Sequence, residues 1–574
     1  MPNSKDFNHF DYNPVDIQID RSLFNMDHSV KYSCDVGSVV PFECIECVPG
    51  DTFKIKTNRV VRLQPLVTPI FDEVIQDVYY FFVPNRLIWS HWVNFCGENT
   101  ASPWAPTTTY HIPQIYAPDG GWNVGTIADY LGIPPKVDDI SVNALPFRAY
   151  ALICDQWFRS EAVMNPVNVS VNDSNATGSN GSNQVTDIQL GGMPFIACKM
   201  FDYFTSGLPS PQRGNAANVF PNNSYLPVES LRQATIDDLG VDQPFKSGNT
   251  LKAKNTPVHI TYTNGASTGA NILYSGVSRN LMVNGASGAY NSLLTTSTDG
   301  TPAGTGNYYY FDNLYANLSA NAFSINDLRT AFAIQRYLEK SARYGGRYIT
   351  FIKGFFGVDS PDARLQRSEY IGGSRLSLNI NSVEQTSATQ SGTTPLGNVA
   401  GMSVTGDSSD DVEYSATEHG YIIGVSVLRY HHSYQQGVNR MWLRYNFTDF
   451  YLPTFAFLGE QEIKANEIFL NNQNDDKVFA YQERWAEYRY LPNRIAGEFR
   501  SVATTSLDMW HLGDYYANTP TLSPEWLRED KTMLDRCLAV TSDVANQCLC
   551  DFYLEVEAAR PLPMYSIPGM IDHY

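Results

Sequence analysis

Apolar and polar positions alternate most clearly between Asp72 and Trp92. Val74, Val78, Tyr80 and Phe82 fall on one parity, interrupted only by Gln76. Glu73 and Asp77 occupy the other parity until Tyr79 and Phe81 close both faces. This predicts a strand half-exposed at its start and buried on both sides at its end. Pro84 stops it, because proline cannot donate to a ladder. About eleven residues at ~3.3 Å each span roughly 36 Å, and a strand of that length requires a large second sheet to cover it.

The rest of the chain supplies such a cover. Residues 1–35 are polar and irregular and predict an arm. Asp51 to Leu66 sets Phe53, Ile55 and Thr57 against Lys54 and Lys56, a strand pattern. Ile88 to Phe95 predicts a short helix, and the proline-rich stretch from Ser102 to Pro118 predicts a loop. Ala144 to Val163 predicts a helix with Ala149, Leu152, Ile153, Trp157 and Ala162 near one face. Asn168 to Asn183, and at greater length Asn222 to Asn317, are rich in Asn, Ser, Gly and Thr. The second stretch is far longer than an ordinary connection and predicts an inserted loop or subdomain, with Asn-Gly turns at 264–265 and 284–285. Domain boundaries at 1–221, 222–317 and 318–574 follow.

Ser324 with Asp327 three residues on marks a helix start. Leu328, Ala331, Phe332, Ile334, Leu338 and Ala342 then share an apolar face, with Arg329, Arg336, Lys340 and Arg343 opposite, and Gly345-Gly346 ends the element. Beyond it, Arg347–Phe356, Leu376–Ile380, Gly420–Tyr430, Lys477–Tyr490 and Asp551–Glu557 return to strand patterns. Widely spaced strands, helices confined to connections and no βαβ rhythm predict a mainly β, antiparallel sandwich with long loop insertions.

Composition sharpens this. In 574 residues there are 35 Tyr and 30 Phe but only 17% charged residues. Aromatic-rich, charge-poor surfaces suit extensive subunit contacts. The net charge of −19 lacks the basic footprint of a nucleic-acid binder, so any polyanion needs a local patch or a separate basic protein. The basic helical face is one such patch. A charge stripe is most often a solvated or subunit-contact side; its functional reading is phosphate contact, with Tyr337 and Tyr344 near enough to stack on bases.

Candidate chemistry is sparse. Nine scattered cysteines argue against a disulfide framework, and Cys44-Ile-Glu-Cys47 is a lone CxxC, so buried thiols are expected there before zinc. Gly265 to Gly269 spells a hydrolase elbow without the strand and helix that strain it. His431-His432, adjacent at a strand end, point to opposite faces and make a poor metal pair; a satisfied surface or interface position is expected. No catalytic, cofactor or metal residue is assigned. The polar start predicts no signal peptide, and no run of ~18 apolar residues occurs. A carbohydrate-binding or carbohydrate-hydrolysing β-sandwich is the alternative class.

Several stretches resemble one family in order along the chain: Cys47-Val-Pro-Gly-Asp51 with Phe53; Asp202 through Leu208 to Gly214; Ser360 to Arg367 and Glu369 to Gly373; Tyr434-Gln-Gln-Gly437; Leu458 to Gln461; Tyr481 to Tyr488; Trp510-His-Leu512; and Pro563 to His573. The chain is similar to major capsid proteins of the gokushovirus branch of the microviruses, small single-stranded DNA bacteriophages. Ser210 and Ser368 depart from that pattern. The resemblance implies an eight-stranded jelly roll, sixty copies in a T=1 icosahedral shell around circular single-stranded DNA, and an insertion projecting at the threefold axes that contacts a host receptor. It implies further partners: a small basic DNA-packaging protein, an internal scaffolding protein and a minor pilot protein. It also implies a virion assembled in the host bacterial cytoplasm.

Overall fold

The structure is a computed structural model that describes residues 20–97, 108–214, 325–344, 353–355, 367–386, 397–471 and 477–565, with short strands between 228 and 316. The hydrolase-like Gly265–Gly269 and most of 347–356 lie outside the described residues. No described helix is long and apolar enough to cross a membrane.

Nine strands form one antiparallel sheet: β1 (Ser22–Asn25), β2 (His28–Cys34), β3 (Val40–Cys47), β4 (Thr52–Leu63), β5 (Val74–Pro84), β6 (Glu369–Ser377), β7 (Thr405–Ser415), β8 (Gly420–Tyr430) and β9 (Cys548–Arg560). From β9 the order runs β4, β7, β6, β5, β8, β3, with β1 and β2 on the other edge of β9. Those two lie in succession along that edge, Ser22 opposite Arg560 and Cys34 opposite Cys548. Between them the Asp27 carboxylate accepts the Val556 N–H at 3.0 Å, taking the place of a ladder bond. One interrupted edge thus yields nine strands where eight were expected. It also corrects the reading of residues 1–35 as an arm: 22–34 are sheet. Val30 and Tyr32 pack on the core and Cys34 is buried, a short alternation masked by polar neighbours.

β6 pairs along its length with β5, and β7 with β4, yet β6 and β7 meet only at Gly372 opposite Val412. A Cβ on Gly372 would lie 1.8 Å from the Asp411 carbonyl oxygen, so glycine permits the approach. Here the sheet turns a corner and curls into two facing halves, β3–β8–β5–β6 and β7–β4–β9–β2. Phe53, Ile55, Val61, Phe552, Leu554 and Val556 meet Val78, Tyr80, Phe82, Ile422, Leu428 and Tyr430 between them.

A second core covers the other face of the first half. Phe81, Val83, Tyr421, Ile423, Val425 and Val427 pack against helix α1 (Leu145–Ile153), Trp89, Trp122 and Ile188. The eleven-residue β5 therefore lies between two cores. Its start is buried too, contrary to the half-exposed reading. Burial alone would push the Asp77 carboxyl up, but hydrogen bonds from Arg375 and Arg429, each 2.6 Å away, hold it below the ordinary carboxylate range.

Two connections also differ from expectation. α1 stops at Ile153 and continues as one π turn, Cys154–Phe158, where the Asp155 carboxylate accepts from Arg159 Nε at 2.7 Å and the Val167 N–H at 2.9 Å. Between Pro113 and Pro118, Gln114–Tyr116 forms a short strand paired with Ser141–Asn143, because the flanking prolines leave its own N–H groups intact.

Residues Gly214–Leu338 form a second compact unit, which contains 222–317. Its strands Tyr290–Ser292, Leu281–Asn284, Ala270–Tyr274, Val258–Tyr262 and Tyr309–Tyr310 make an antiparallel sheet in that order.

Candidate assembly surface and basic helix

Between Asn439 and Gly459 the chain makes three short 3₁₀ turns, Arg440–Leu443, Phe447–Asp449 and Pro453–Phe455. Each has a local cause. The Asn439 side chain accepts the Met441 N–H at 3.0 Å, Asn446 and Asp449 cap each other reciprocally, and Pro453 presets the third turn. The turns display apolar side chains to solvent: Trp442 is 72% exposed, Tyr445 93% and Phe457 98%, with Phe447, Phe450 and Leu458 beside them. So many exposed large apolar side chains within one short segment mark a candidate interaction surface.

This ledge is anchored from below. Arg440 Nη1 lies 3.2 Å from the buried Glu467 carboxylate, and Arg444 Nη2 3.4 Å from the equally buried Glu487. The Arg444 guanidinium stacks 4.4 Å from the Tyr488 ring centroid. Trp485 Nε1 donates to the Phe455 carbonyl at 3.0 Å. Glu467 also accepts from Tyr203 at 2.9 Å, and burial pushes its carboxyl up despite Arg440. These bonds fix the ledge before anything docks, which reduces the ordering cost of association.

Sequence reading missed this surface. Its signal was an aromatic run, Trp442, Tyr445, Phe447, Phe450, Tyr451, Phe455 and Phe457, with neither a two-residue nor a 3.6-residue period, so it belonged to no core-facing element.

The basic residues do lie on a helix, α2 (Ile325–Tyr344). Arg329 and Arg336 are exposed, in the part that belongs to the second unit. Lys340 and Arg343 belong to the first; Lys340 stands 5.7 Å from the Phe355 ring centroid and Arg343 pairs with Glu460. Of the expected apolar face, Ala331 is buried and Leu328, Leu338 and Ala342 are half-buried, whereas Phe332 and Ile334 are exposed.

The other candidates separate. Cys44 and Cys47 lie on opposite faces of β3, each pushed up to about 12 by burial, so they do not form one site. His432 is not at the surface. It is buried between Asp514, 2.9 Å from Nδ1, and Glu529, 3.0 Å from Nε2, with Lys199 Nζ 2.9 Å from Asp514. Burial alone would push the imidazole down; the two carboxylates outweigh it and raise the pKa to about 9.

A family profile described as "Capsid protein (F protein)" matches residues 15–570. The chain is 40% identical over 559 residues to capsid protein VP1 of Spiroplasma virus 4, covering 96% of each. It is 35% identical to capsid protein VP1 of Chlamydia phage 1 over 581 residues and to that of Bdellovibrio phage phiMH2K over 558, again covering 96% of each chain. A sandwich that presents a rigid aromatic ledge to solvent and is matched along nearly all its length by these proteins belongs to the phage capsid protein (F protein) family.

Proposed function

We propose that this structural capsid protein, a virion component, builds its shell by docking copies of itself through the 439–459 ledge, without catalysing a reaction. The ledge carries the reading: large, pre-ordered aromatic side chains in water are an association surface in want of a partner. In the arrangement that the sequence resemblance implies, sixty copies close a T=1 icosahedron around circular single-stranded DNA. The insertion 222–317 projects at the threefold axes and meets the host receptor. A small basic protein neutralises most of the DNA charge, since this chain is itself acidic. An internal scaffolding protein and a pilot protein complete assembly in the host cytoplasm. No observation favours the carbohydrate-binding alternative.

The test is the double variant Tyr445→Ser/Phe457→Ser. Both side chains are almost fully exposed, so the chain folds normally while particles vanish from sedimentation and electron microscopy. Particles at wild-type yield would remove the ledge from the shell contacts.

The same reading gives the exposed cations Arg329 and Arg336, with Lys340 and Arg343 in support, contact with the packaged strand. The ion pair between Arg343 and Glu460 makes that residue the least available of the four. Arg336→Glu/Lys340→Glu is expected to leave shells intact and lower their DNA content, read as the ratio of absorbance at 260 and 280 nm. Unchanged DNA content would end this role.

A further inference from the structure

Three thiols meet inside the sandwich, and the capsid role does not use them. Cys548 and Cys550, two residues apart on β9, project to the same face of the strand. Cys34 stands directly opposite Cys548 on β2. All three are buried, their sulfurs lie within 4.8 Å of one another, and those of Cys548 and Cys550 are 3.7 Å apart. Two sulfurs bound to one tetrahedral zinc at ~2.3 Å would stand about 3.8 Å apart.

Spacing alone would also suit three packed thiols. The fourth group points further. Gln76 is completely buried on β5, with its amide nitrogen 3.5 Å from Cys550 Sγ. Its carbonyl oxygen Oε1 is buried with no hydrogen-bond partner, which is costly in an apolar core. A half-turn of the amide exchanges its two ends and brings Oε1 beside the sulfurs. A cation held there would give the oxygen its missing partner.

We propose that Cys34, Cys548 and Cys550, with the Gln76 side-chain oxygen as fourth ligand, form a structural zinc site. Thiolates select a soft ion over magnesium or calcium, and a closed four-ligand set is the structural form of zinc. As each Zn–S bond forms, the thiol proton leaves to solvent, so Zn²⁺ and three thiolates carry one net negative charge. The ion would fasten the edge strand β2 to β9 and tie both to β5 in the opposite half, loading as the sheet closes.

The experiment is elemental analysis of the full-length protein after dialysis against EDTA, with thiols counted in denaturant without reductant. One zinc per chain is expected, lost in Cys550→Ser and kept in Cys44→Ser/Cys47→Ser. If Cys550→Ser does not fold, titrating the folded wild type with an organomercurial is expected to release zinc only as the buried thiols react, after exposed Cys96. Wild-type protein without stoichiometric zinc overturns the proposal, whether all nine thiols are free or two are lost to a disulfide. Zinc retained by a folded Cys550→Ser also overturns it.

Discussion

The two halves of the curled sheet solve the same burial problem differently. In β8 and β5, the inner parity faces the sandwich core and the outer parity faces a second core under α1. Their sequences accordingly run apolar almost without a break. In β4 and β9 only the inner parity is covered; Lys54, Val60, Arg62, Asp551, Tyr553 and Glu557 face outward. That open face carries charges of both signs, with Lys31 3.2 Å from Asp551 and Lys56 3.6 Å from Glu555. The difference teaches how to read a strand: a continuous apolar run reports two covering layers, and a strict alternation reports one. It also places a mixed-charge face on the half that lacks a second layer.

The comparison breaks most visibly at Phe81 and Val60, both outward-facing on their strands. Phe81→Ala, under the second core, is expected to cost about 3–5 kcal/mol. Val60→Ala, on the open face, should stay within ~0.5 kcal/mol. Denaturant unfolding of the dissociated subunit measures both, and equal costs would dissolve the distinction between the halves.

Charge sharpens it next. Asp77→Ala strands the guanidinium of Arg429 in a buried setting, and removing one partner of such a cluster costs roughly 3–5 kcal/mol. Glu555→Ala removes solvent-exposed contacts with Lys56 and Asn58 on the open half and should cost less than ~1 kcal/mol by the same measurement.

After these two large costs comes a pH limb that starts at the end of the doubly covered half. His432 follows β8 and its folded pKa, about 9, lies above the ordinary 6.5. Its stabilisation is therefore fully present below pH 6.5 and is lost as pH rises through 9, on the order of 3 kcal/mol. The denaturation midpoint should fall between pH 6 and pH 9.5, and His432→Gln should flatten that fall. His28 is also raised to about 9, by its hydrogen bond to Glu43, but it is half-exposed. His28→Gln should accordingly remove only a minor part.

Much of this architecture was legible because period-two alternation and apolar runs report burial directly. β4, β5, β8 and β9 appeared where the pattern put them. β2 did not, since Lys31 and Ser33 surround its few inward residues. His432 was misplaced because its partners arrive from Asp514 and Glu529, far along the chain, and sequence adjacency says nothing of such a meeting. The ledge was hidden for the opposite reason. Its aromatic side chains point to solvent and not into either core, so no core-facing period marks them. The thiol cluster joins position 34 to 548 and 550, a proximity that only the ladder register reveals.

That register has a bearing on how the subunit is made. β9 is inserted between β4 and the β1–β2 edge, so strands translated first wait for the one translated more than 480 residues later to separate and bond them. Until the ribosome has passed residue 560, β4 offers a naked margin and β1 and β2 have no sheet to join. A polypeptide terminated before β9 consequently has partners for the six strands from β4 to β3 in the sheet order and none for β1 and β2.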